Sequence, residues 1–229
     1  QALVRFGATA QLAAVDLHEV GMDGAGDVMT IVGIPYRGGY GLKRRPIPEG
    51  EIFSACAAAM LVDRALFLEH GGFDERFFCY CEDVDLGYRL RLAGERIMII
   101  PDAIVAHVGG ASSGERSAFA TYHGARNRVW TFVKNTPPLL FWLTLPLHVG
   151  ITLMLIALAM RRELALTMLA GAWAGVSGAG RFWAEHKADP VRSGAILRAL
   201  ARNPVAFVGR SMFIRPSSVC SQEARGKRP

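Results

Sequence analysis

Glu82-Asp83-Val84-Asp85 sets three carboxylates within four residues, and His107 follows 24 positions after Asp83. Carboxylates this close repel one another unless a cation, a proton transfer or a helix start offsets the repulsion. Two kinds of chemistry suit the pattern. A carboxylate can accept the proton of a substrate hydroxyl, and carboxylates with an imidazole can hold a divalent cation. Glu82, Asp83 and Asp85 are candidates for either use. Plain helix capping is the competing use, but capping needs one acid and here there are three. Asp83-x-Asp85 also opens like a calcium loop, yet Gly87 occupies the fifth position and Gly94 the twelfth, so that motif fails.

The elements that must position these residues alternate between strand and helix. Val28 to Ile34 has the composition of a strand, and Arg37 to Gly50, with its glycines, prolines and Lys43-Arg44-Arg45, that of a long mobile loop. Phe53 to Val62 is a run of small apolar residues. Asp63 to His70 is expected as a short helix ended by Gly71-Gly72. Phe77 to Cys81 is expected to be extended, leading into a helix over about Asp83 to Ala93 that Gly94 stops. On it Arg89 and Arg91 can pair with Asp85 or face water. Arg96 to Ile100 is a buried strand closed by Pro101, and Ile104 to His107 is a further extended piece. Arg126 and Asn127 begin a helix running toward Lys134. Helix and strand in alternation predict an α/β layer structure.

The chain has 229 residues, 51% of them hydrophobic, and a mean hydropathy of +0.23. Between Asn135 and Met160 there is no charged residue, and a helix of that length reaches across a hydrocarbon core of roughly 30 Å. A second uncharged stretch, Leu164 to Gly180, follows Arg161-Arg162-Glu163. The pair forms either a transmembrane hairpin or two helices in the interface. A hairpin would strand Arg161 and Arg162 on the far side, against the positive-inside tendency. From Arg181 onward ten Lys/Arg face three Asp/Glu (Glu185, Asp189, Glu223), a balance of +7, which leaves −1 for the first 180 residues. Ile196, Leu197 and Leu200 interleave with Arg198 and Arg202, which suits an anionic membrane face and not a nucleic-acid groove. The last nine residues have the composition of a disordered end. Cys56, Cys79, Cys81 and Cys220 form neither a disulfide ladder nor zinc knuckles, which points to a reducing compartment; Cys79 and Cys81 are expected as small apolar filling. Gln1 to Ala14 lacks a signal peptide, and the chain is expected to be a piece of a longer protein.

Taken together, Gly71-Gly72-Phe73-Asp74-Glu75-Arg76-Phe77-Phe78, Glu82-Asp83-Val84-Asp85-Leu86, Arg89-Leu90, Ala93-Gly94, Pro101, His107, Gly109-Gly110-Ala111-Ser112-Ser113 and Arg126-Asn127-Arg128 resemble the second half of the catalytic domain of bacterial family 2 glycosyltransferases. The rhamnosyltransferase-like branch, which builds cell-wall and surface polysaccharides, is the most similar. The resemblance runs from about Val28 to Pro138. It implies a partial A-type, Rossmann-like glycosyltransferase domain over 1–134, followed by apolar, membrane-associated helices over 135–180 and a basic tail over 181–229. It further implies inversion at the anomeric carbon of a nucleotide-diphosphate sugar, a lipid-linked or polysaccharide acceptor, and work at the cytoplasmic face of the bacterial inner membrane.

Within that resemblance Glu82 and Asp83 are the catalytic residues, with Asp83 in the place of the general base, His107 takes that of a ligand to Mg²⁺ or Mn²⁺ on the donor diphosphate, and Asp85, Arg126 and Asn127 are substrate-binding candidates. Departures stand beside it. The nucleotide-binding half with its Asp-x-Asp motif belongs upstream of Gln1, and Asp23 and Asp27 are spaced too widely to replace it, so this portion alone is expected to be inactive. Ala57 stands where relatives carry Gly, and Ala106 where an aromatic is common. Two other classes remain open at this point: a non-catalytic membrane-docking module, and a metal-dependent hydrolase for which His123 is the nearby second histidine.

Overall fold

A computed structural model describes residues 3–6, 21–107, 117–183 and 190–215. The Gly109–Ser113 segment, Glu185, Asp189, Cys220, Glu223 and the chain end lie outside them. The architecture is mixed α/β and about half helical, with two small sheets. Strand β1 (Leu3–Phe6) pairs parallel with β5 (Arg96–Ile99), and β4 (Gly50–Glu51) pairs antiparallel on the other side of β5. A separate hairpin joins β2 (Asp27–Met29) to β3 (Pro35–Arg37), with Asp27 directly across from Arg37.

The stretch expected as one strand over Val28 to Ile34 is therefore a hairpin. The chain reverses because Gly33 takes a left-handed φ of 76° and the Thr30 Oγ1 accepts the Ile34 amide hydrogen at 2.9 Å.

Helix α1 (Arg64–Glu69) starts where the Asp63 carboxylate accepts from the Leu66 amide at 2.9 Å, and Gly71 and Gly72 follow it in left-handed conformations. Helix α2 (Glu82–Leu92) carries all three acids in its first turn and ends at Gly94, φ 90°. Its inner face, Leu86 and Leu90, packs with Ile52, Leu66, Ile97 and Ile99. Close approach also requires Gly87: a Cβ there would overlap Ser54 Oγ and Cβ. Gly87→Ala is expected to cost roughly 1–3 kcal/mol by overpacking, read as a lowered midpoint in chemical denaturation.

Helix α3 (Ala118–Asn135) is capped by Ser117, so Arg126 and Asn127 sit in mid-helix instead of beginning it. Helix α5 (Ala165–Gly178) lies on α3 through Gly171, Gly175 and Gly178, where side chains would strike Tyr122, Val129 and Trp130. Helix α4 (Pro138–Ala159) precedes it, and a four-residue helix α6 (Gly180–Trp183) follows.

Helix α7 (Pro190–Ala199) departs from expectation. Its Ile196 and Leu200, just beyond it, are buried with Met29, Phe53, Val84 and Tyr88, and Ala201 bridges Thr30 in parallel. Two of the three apolar residues that looked suited to a membrane, Ile196 and Leu200, are taken up by the protein core, because pairing to the hairpin brings them inward, while Leu197 stays exposed.

Candidate active site

The segment just before α2 is not extended. Glu75–Phe77 form a 3₁₀ turn, and Phe78, Tyr80 and Cys81 all have positive φ, at 63°, 69° and 63°. Non-glycine residues hold such conformations only where surrounding bonds enforce them. Here the enforcing group is Asn127, wholly buried, whose Nδ2 lies 2.7–2.8 Å from the carbonyl oxygens of Phe77, Cys79 and Tyr80. Arg126 donates from Nε to Asn127 Oδ1 and from its guanidinium to the Phe77 carbonyl. Both side chains thus clamp the turn that launches α2. This is a positioning task, and the bonds that perform it lie within the protein.

Asp85, the other substrate-binding candidate, is bound within the protein. It is completely buried, and its carboxylate accepts from Arg89 Nε (2.9 Å), Lys134 Nζ (3.0 Å) and Asn135 Nδ2 (2.8 Å). Lys134 also bridges to Asp74 at 2.7 Å, and Arg89 donates to the carbonyls of His70 and Gly72. One acid therefore ties α2, α3 and the Gly71-Gly72 turn together. Arg91, whose direction the sequence left open, is buried against Glu51 and the Ile52 and Ile97 carbonyls.

Asp83 is different. It is partly accessible, one carboxylate oxygen accepting from the Ala57 amide (3.0 Å) and the other from Val84 (2.8 Å). Ser54 Oγ donates to its backbone carbonyl at 2.8 Å, and Ser54 is bridged to Asp27. That bridge brings Asp27, Cys56 and Asp83 together, their ligand atoms all within 4.8 Å of one another. Asp27 is buried and its Oδ2 has no hydrogen-bond partner among the described residues.

Burial above all, then the Asp83 charge, holds the Asp27 carboxyl well above the usual range, although Arg37 opposes this. Burial and Asp83 also raise Glu82. Burial first, then Asp27, pushes the Cys56 thiol up to about 12, so it stays protonated near neutral pH. A raised carboxyl contributes its full stability below the unfolded value near 3.9 and loses it as pH climbs through the folded value. Asp27→Asn removes that loss, so its melting temperature relative to wild type should rise between pH 4 and pH 8 in calorimetry.

His107 meets Asp23: its Nδ1 lies 2.9 Å from Asp23 Oδ2, the oxygen that Arg37 also reaches at 2.9 Å. Arg37, across from Asp27 in the hairpin, links this pair to the Asp83 cluster. Asp23, Asp27, Arg37 and Cys56 were thus missed as site residues, since the first two were judged only as a local Asp-x-Asp. The available signal was Asp27 itself, an acid opening an apolar strand. Carboxylate oxygens with one imidazole suit a hard cation such as Mg²⁺ or Mn²⁺, while the protonated Cys56 does not. His123, the hydrolase candidate, instead packs among the Phe78, Phe119 and Tyr122 rings.

Over 78 residues, 33% of its length, the chain is 44% identical to the N-acetylglucosaminyl-diphospho-decaprenol L-rhamnosyltransferase of Mycobacterium tuberculosis, in both strain CDC 1551 / Oshkosh and strain H37Rv, covering 24% of those proteins. Over 86 residues, 35% of its length, it is 38% identical to the rhamnosyltransferase WbbL of Escherichia coli K12, covering 32% of that protein. The chain thus spans 24–32% of the length of these relatives. No family model matches, and no solved structure matches.

Proposed function

We propose that this chain is the acceptor-side portion of an inverting glycosyltransferase, moving a sugar such as rhamnose from a nucleotide diphosphate to a lipid-linked or polysaccharide acceptor in bacterial cell-wall or surface-polysaccharide synthesis. The observation that carries the reading is Asp83: a partly accessible carboxylate fixed by two backbone amides at the start of α2. Held so, it can take the acceptor hydroxyl proton as the oxygen attacks the anomeric carbon. Glu82, beside it and raised by burial and by Asp83, shapes the charge at that point. The partial likeness to proteins named as rhamnosyltransferases supports the sugar-transfer class.

Among the described residues Asp23 and His107 would hold Mg²⁺ or Mn²⁺, and the cation supplies positive charge against the leaving diphosphate. His107→Ala is expected to raise the metal concentration for half-maximal binding by at least about tenfold, read by calorimetric Mn²⁺ titration; an unchanged titration removes His107 from the metal. The reading as a whole is tested by restoring the upstream residues and screening nucleotide sugars for nucleotide-diphosphate release with and without a chelator. Release that needs both acceptor and metal supports it, and no release with any nucleotide sugar refutes it.

A further inference from the structure

Helix α4 is 22 residues long without a charge, and by length and composition it can cross a membrane. Its packing contradicts that use. A single stripe, Phe141, His148, Ile151, Thr152 and Ala159, is buried from one end of the helix to the other. The α/β body does much of this covering. The His148 ring stacks on Phe132 at 4.1 Å, its Nδ1 lies 2.8 Å from the Val32 carbonyl oxygen, and Ile151 and Leu155 pack with Val32, Ile34 and Phe207. The hairpin turn over 30–34 and the segment paired to it at Ala201 therefore sit beside the middle and second half of the helix. Crossing a bilayer would drag those turns into hydrocarbon, where irregular lipid-facing backbone does not occur.

The opposite side of α4 is open: Trp142, Leu143, Leu147, Leu153 and Leu158 are exposed. On the adjoining α5, whose glycines face α3, Leu166, Leu169, Trp173 and Val176 are exposed too. An apolar surface of this extent marks a place of attachment. Among the described residues its rim is basic, with Arg161, Arg162 and Arg181 exposed beside one acid, Glu163.

We propose that α4, with the outer side of α5, lies flat in the headgroup region of an anionic phospholipid bilayer and holds the α/β body on that surface without spanning it. Apolar side chains enter the acyl boundary, the tryptophans sit at headgroup level, and the arginines meet lipid phosphates. An in-plane arrangement also keeps Arg161 and Arg162 on the same side as the rest of the protein. This deepens the membrane part of the function proposed above and is independent of the sugar chemistry.

The test uses the whole chain with vesicles of phosphatidylcholine and phosphatidylglycerol at 7:3 against pure phosphatidylcholine. Spin labels placed through p-acetylphenylalanine at Leu143, Gly150 and Ala157, all on the open side, report depth. These positions span about 21 Å along the helix axis at 1.5 Å per residue. Flat docking predicts flotation with anionic vesicles and equal, shallow depths at all three. Arg161→Gln with Arg162→Gln should weaken binding about 30-fold on anionic vesicles and leave neutral ones unaffected. A Gly150 label far deeper than the other two means a spanning helix and overturns the proposal. Failure to float with anionic vesicles overturns it as well, assigning the open side to protein, whether or not sugar transfer is found.

Discussion

Asp83→Asn, in the protein with its upstream residues restored, is expected to lower turnover by roughly 10²–10⁴-fold while donor affinity stays within about twofold. The asparagine oxygen can accept from one of the two amides, Ala57 or Val84, while its NH2 donates and cannot accept from the other, so the fold should persist with a melting temperature lowered by the loss of one such contact, about 1 kcal/mol. What disappears is the capacity to take a proton. A loss confined to turnover, with donor dissociation constant and fold unchanged, is the signature of a base. If Asp83 only capped a helix, the same substitution would leave turnover near wild type.

Asp85→Ala is expected to act in the opposite manner, costing about 3–5 kcal/mol of stability. Its carboxylate compensates two cations, Lys134 and Arg89, whose side chains are only 9% and 19% exposed, and satisfies Asn135 besides. Removing it leaves Arg89 without its carboxylate and Lys134 with Asp74 alone, and frees the Arg89 that holds the Gly71-Gly72 turn from its anchor on α2. Urea denaturation reads the loss directly. A variant of full stability with a raised acceptor KM would instead return Asp85 to the substrate. The two acids stand two residues apart on one helix, yet one is partly accessible and the other lies in the core.

That contrast shows how far the sequence could be read. Helix α2, its glycine stop, the Asp63 cap and the β5 strand were legible because each depends on local signals: acids at a helix start, glycine at its end, an apolar run closed by proline. The roles of Asp85, Arg126 and Asn127 were not, because which side of a helix meets the core is decided by what packs on it. The left-handed Phe78, Tyr80 and Cys81 were equally hidden, since the Phe77, Cys79 and Tyr80 carbonyls among them are bound by an asparagine 47–50 positions away. Asp23 and Asp27 came into the site only through the hairpin, whose turn at Gly33 was masked by an apolar stretch that looked like one strand. The inward packing of α7 depends on a bridge between Thr30 and Ala201, a separation no periodicity encodes.

The proton-accepting role of Asp83 is tested most directly by chemical rescue. With Asp83→Ala in the restored protein, added formate should bring back sugar transfer in proportion to its concentration, because a small carboxylate can enter the space and accept the hydroxyl proton. Transfer by Asp83→Ala within about tenfold of wild type without formate would contradict the account, since base catalysis contributes at least 10²-fold where it operates.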